Sequence, residues 1–156
     1  MRPAPHVALL GTLCLVCGCK VSKPSALEGR TLVAIKHNVT VRGKSVKNPL
    51  PFTPENLAEG KEAFGHYCIA CHGLDGQNTG VPFANSMSPP LPSLASMDVQ
   101  SYADGQLKWV IDNGISPSGM PASEGILSDE EIWSIVLFLR HLPPAGSAGE
   151  PEMYSH

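Results

Sequence analysis

The chain has 156 residues, 42% of them hydrophobic, and a formal net charge of −3. These are the proportions of one globular domain rather than of a disordered tail, and with no run of Lys or Arg they argue against nucleic-acid binding. Fifteen Gly and fifteen Pro imply many turns and a thin core, which usually needs a covalent or metal staple.

In chain order, Arg2 and the apolar run from Val7 to Val16 have the form of a secretion signal, too short to span a bilayer. The segment ends Leu15-Val16-Cys17-Gly18-Cys19. This resembles the lipobox of bacterial lipoproteins, which implies cleavage after Gly18 and lipidation of Cys19. An ordinary cleaved signal with incidental cysteines is the alternative, and Cys17 departs from the usual lipobox residue. Residues 19–52 follow as a lipid-anchored tether, extended or irregular at Lys20, Lys23, Pro24, Pro49 and Pro51. Two apolar pieces in it, at 32–35 and 39–41, have the length of a strand pair, and His37 is read as a plain exposed residue.

A domain over 53–142 then begins. Thr53-Pro54-Glu55 is a helix start, with Thr53 as N-cap, Pro54 in the first turn and Glu55 at the positive end of the dipole. The helix is expected to reach Tyr67 or Cys68, with Gly60 and Phe64 on one face. Asp104 to Asn113 forms a middle helix carrying Leu107, Val110 and Ile111 and closed by Gly114. Ser128 and Glu131 form a capping box for a last helix whose apolar stripe is Ile132, Val136 and Leu139, joined by Ile135 and Phe138; Pro143-Pro144 stops it. Residues 143–156 are expected to be a flexible tail. Three helices, few strands and long loops make an all-α fold.

Cys68-Ile69-Ala70-Cys71-His72 is the attachment motif for c-type haem. Two thiols add to the two vinyl groups as thioethers, and on a helical turn Cys68 and His72 share a face, so His72 can ligate the iron. A thioredoxin-like pair would open a helix after a strand, whereas here a helix precedes. A zinc site would need a second Cys/His pair, which is missing. A Cys68–Cys71 disulfide is the third alternative. One covalent haem is therefore expected, and it is the staple the thin core requires.

With these elements the chain resembles the class I, mitochondrial-like cytochromes c, most closely small bacterial ones that are often lipoproteins. Gly60, Phe64 and Phe138 match the family's crossing of first and last helices, where a small residue permits close approach. The resemblance implies the cytochrome c fold, three main helices around one haem. It also implies a Met as sixth ligand before the last helix, and Met120 in Ser118-Gly119-Met120-Pro121-Ala122 fits; Met87 and Met97 are the rivals. A Pro carbonyl that orients the ligating His is implied as well, with Pro82 the candidate and Pro90 second. His66 and His141 are read as surface residues, and Trp109 and Trp133 are left unplaced.

The expected function is a monomeric one-electron carrier in the bacterial cell envelope, facing the periplasm, membrane-held by its lipid and meeting redox partners weakly and transiently. A haem subunit of a membrane-associated dehydrogenase or oxidase is the alternative. A haem sensor or peroxidase-like enzyme is disfavoured, because no distal His or Arg stands near Met120 in the sequence.

Overall fold

A computed structural model describes Val41 and residues 45–155. The signal segment, Cys19, His37 and most of the tether lie outside the described residues. Five helices carry the fold: α1 (Pro54–Tyr67), α2 (Ile69–His72), α3 (Met97–Gln100), α4 (Asp104–Asn113) and α5 (Asp129–Leu139), with 3-10 turns at Ser116–Ser118 and Glu152–Tyr154. Among the described residues no strand forms, and the only bridges are Ile115 with Met120 and Glu124 with Leu127. The fold is all-α, as expected. Of the described helices, none is long and apolar enough to cross a membrane.

The helix boundaries follow local chemistry. Thr53 Oγ1 accepts from Asn56 N at 3.2 Å, and Pro54 occupies the first turn, where its missing N–H costs nothing. Ser128 and Glu131 form the reciprocal capping box of α5, with Ser128 N donating to Glu131 Oε2 at 2.8 Å. Gly114 closes α4 with a φ of 66°. The last helix ends at Leu139 and is capped by Arg140, ahead of Pro143 and Pro144.

The core sits where α1 crosses α5. Gly60 is buried there, and a Cβ on it would lie 2.0 Å from Ser134 O. Glycine alone lets the two backbones come this close. Phe64 and Phe138 then pack at 5.1 Å between ring centroids. Every residue of α5 from Ile132 to Leu139 is buried, Trp133 included. The stripe expected from spacing is therefore wider than one face, because α4 and the preceding loops cover the remaining sides of α5. Arg140 ties α3 and α4 to the end of α5. It donates to Asp104 Oδ1 at 2.9 Å, to Gln100 O at 2.9 Å and to Tyr102 O.

Both ends of the domain extend past the expected 53–142. Asn48, read above as tether, donates through Nδ2 to Trp133 O at 2.8 Å, and Gly105 N donates to Val46 O at 3.0 Å. Residues 143–155, read above as a flexible tail, are folded back on the loop after His72. Pro151 is fully buried, and Gln77 Nε2 donates to Pro143 O at 2.9 Å. In each case a side chain on one side of the expected boundary bonds backbone on the other: Asn48 reaches in to Trp133 O, and Gln77 reaches out to Pro143 O.

Candidate functional site

Cys68 ends α1, donating its N–H to Phe64 O at 2.9 Å, and caps the start of α2. The single turn of α2 then carries the motif: Cys71 N and His72 N both donate to Cys68 O, at 3.2 and 2.9 Å. Both thiols are free; Cys71 is exposed and Cys68 is half-buried, packed with Ile69 against the apolar core. Burial, and secondarily the neighbouring Cys71, pushes the Cys68 thiol up to about 12.

Burial lowers the pKa of His72, so its imidazole is neutral, the form a metal ligand needs. His72 Nδ1 is buried and has no hydrogen-bond partner. The carbonyls expected to accept from it, that of Pro82 and secondarily that of Pro90, therefore do not bond it in this structure. Successive turns through Val81 to Ser86, with Ala84 N on Val81 O and Ser86 N on Phe83 O, leave Pro82 exposed. A free thiol pair, a neutral, half-buried imidazole on the same turn and an orphaned ring nitrogen fit a covalent haem.

The loop before α5 is fastened to the end of α4. Ile115 N donates to Met120 O at 3.0 Å, and Ser123 Oγ donates to Ile111 O at 2.7 Å. Met120 is half-buried and packs on the same apolar cluster as Cys68 and Ile69. Met97 is 89% exposed, and Met87 lies in the turn after Phe83, with its N–H on Phe83 O at 3.2 Å. His66 is exposed beside Glu62, and His141 is exposed and stacks on Phe52 at 4.3 Å. Trp109 is half-buried on the cluster.

Three residues at this site were missed by sequence reasoning. Asp75 is fully buried, accepting from Thr79 Oγ1 at 2.6 Å, Gly146 N at 2.7 Å and Gln77 N at 2.8 Å. Burial acts to raise its pKa, but these hydrogen bonds outweigh it and hold the carboxyl below its usual range. Asn78, in left-handed conformation with φ 64°, donates its N–H to His72 O at 2.8 Å. Tyr154 Oη donates to Ala70 O at 2.9 Å. Asp75 and Asn78 carried a weak signal, as polar turn formers directly after the motif; Tyr154 carried none.

A helical thiol-thiol-imidazole turn, framed by a glycine-mediated crossing of first and last helices, defines a c-type cytochrome. Residues 55–139 match the family described as cytochrome c oxidase, cbb3-type, subunit III. The chain belongs to that family of c-type cytochromes, electron-transfer proteins that hold haem c covalently. It is similar to cytochrome c-554(548) of Halomonas halodenitrificans, 34% identical over 83 residues that make up 53% of this chain and 92% of that one. It is also 26% identical over 114 residues to the quinohemoprotein alcohol dehydrogenase ADH IIB of Pseudomonas putida. That match takes in 73% of this chain but spans only 15% of the dehydrogenase. Among solved structures, a chain of the Kuenenia stuttgartiensis reducing HAO-like protein complex superposes with a TM-score of 0.47 at 25% identity, over 71% of this chain and 51% of that one.

Proposed function

We propose that the chain carries one haem c, with Cys68 and Cys71 as the residues that would form its thioethers and His72 and Met120 as those that would ligate its iron. On this reading it is a one-electron carrier of the bacterial cell envelope. The observation that carries it is the half-buried His72 imidazole, its Nδ1 without a hydrogen-bond partner, on the same helical turn as two free thiols. Haem c supplies the one-electron Fe(III)/Fe(II) couple when bound. The chain's part is to add the Cys68 and Cys71 S–H groups across two vinyl double bonds, present His72 Nε2, and hold Met120 on a loop that needs little ordering. A thioether ligand favours the reduced state and raises the potential.

The test is Met120→Ala. It is expected to give a high-spin ferric spectrum, to open the iron to rapid CO binding after reduction, and to lower the potential. A Met-ligated spectrum retained in Met120→Ala and lost in Met87→Ala would move the ligand to Met87. For the anchor, lipidation of Cys19 on cleavage after Gly18 places the protein at the periplasmic side of a membrane. Cys19→Ser is expected to release soluble holoprotein, and a wild-type protein already soluble would remove the anchor.

The likeness to part of a quinohemoprotein alcohol dehydrogenase favours a second reading, a haem subunit bound to an envelope dehydrogenase. Co-purification of one such enzyme in stoichiometric amount on mild detergent extraction would select it over a free carrier.

A further inference from the structure

A one-turn helix such as α2 has no stability of its own and leaves its last carbonyls without intrahelical partners. Ile69 O accepts from the helix's own C-cap, Gly73 N, at 2.9 Å, and two later carbonyls are met from outside: His72 O by Asn78 N at 2.8 Å, and Ala70 O by Tyr154 Oη at 2.9 Å, across 84 positions of sequence. Tyr154 is itself held, edge-on against Phe83 at 6.1 Å and 82°. The segment that brings it there is fixed along its length: Pro143 O by Gln77, Gly146 N by the buried Asp75 carboxylate, and Pro151 by full burial. Gly80, with φ 71°, leaves room for Glu150; a Cβ there would stand 2.6 Å from Glu150 Cβ.

We propose that residues 143–155 form a brace on the haem-attachment turn, and that Tyr154 is a positioning residue that holds the orientation of His72 by fixing the Ala70 carbonyl. This rests on the reading that Cys68, Cys71 and His72 carry the haem. Ala70 lies between the two thiols and two residues before the ligand. Fraying there tilts the Ala70–Cys71 peptide and with it the His72 imidazole, and ligand orientation is one of the protein's controls on the potential.

The test is Tyr154→Phe in the holoprotein, which removes one hydroxyl and keeps the ring on Phe83, with Ser155→Ala as a control in the same segment. Amide hydrogen exchange at Cys71, His72 and Gly73 is expected to speed up about fivefold, the equivalent of one neutral hydrogen bond. Exchange within α5 is expected to stay unchanged, and the midpoint potential to shift from wild type. Ser155→Ala is expected to do neither. Unchanged exchange at those three amides, or an unchanged potential, would overturn the brace while leaving the haem assignment standing. The intact mass of the same wild-type sample is checked first; absence of a covalent haem there would overturn both.

Discussion

Where α1 crosses α5, contact is made by a glycine against backbone and by aromatic and aliphatic side chains: Gly60 on Ser134, Phe64 on Phe138, and the buried run Ile132 to Leu139. Where the loop after His72 meets residues 143–155, contact is made by a buried carboxylate, a tyrosine hydroxyl and backbone amides. The first region is held by apolar burial, which is non-directional and roughly proportional to area. The second is held by directional hydrogen bonds, whose chief energetic weight is the cost of leaving them unmade. A c-type cytochrome needs both kinds of region. The crossing gives the chain a folded scaffold, and the polar knot holds in one geometry the turn proposed to carry the haem.

The contrast is broken most severely at the crossing. Gly60→Val is expected to force the backbones apart and destabilise the holoprotein by about 3 kcal/mol or more, the upper end for overpacking, because the obstacle is Ser134 backbone. A lowered urea midpoint would show it. At the knot, Asp75→Ala leaves Gln77 N and Gly146 N without their acceptor and is expected to cost about 2–3 kcal/mol. It is also expected to release residues 143–155 to limited proteolysis while α1 and α5 stay protected. Equal loosening at both places would merge the two regions into one.

Acid sharpens the difference. The Asp75 carboxyl is held below its unfolded value, so it titrates lower in the folded state. Its contribution is complete above the unfolded pKa of about 3.9 and fades as the pH falls through the lower folded value. Stability measured against pH is therefore expected to drop less steeply below pH about 4 in Asp75→Asn than in wild type. The mildest change is Ser128→Ala, which removes the α5 cap and is expected to cost about 1 kcal/mol, read as a small shift in thermal midpoint with the potential unchanged.

How far each region could be seen in the sequence follows from the same physics. The Thr53 cap, the Ser128–Glu131 box, the close of α4 at Gly114 and the roles of Gly60, Phe64 and Phe138 are all local or periodic, and the structure carries each of them. Cys68, Cys71 and His72 were visible because their chemistry demands one fixed spacing on one turn. The 143–155 segment was read as loose because Gly, Pro and Ser there give no period. What holds it is supplied by Asp75, Gln77 and Ala70, 66 to 84 residues earlier, and no local pattern records such pairs. Asn48 on Trp133 failed to announce itself for the same reason. The Pro82 carbonyl came from family resemblance, and in the turns through residues 81–87 Pro82 is exposed while His72 Nδ1 has no partner.

The central claim is one haem held on Cys68 and Cys71, and peptide mapping of the mature holoprotein by mass tests it most directly. After acid–acetone treatment, the peptide containing Cys68 to His72 is expected to keep the added mass of a single haem, with no other peptide modified by haem. A haem that extracts freely, or a second haem elsewhere on the chain, would contradict the account.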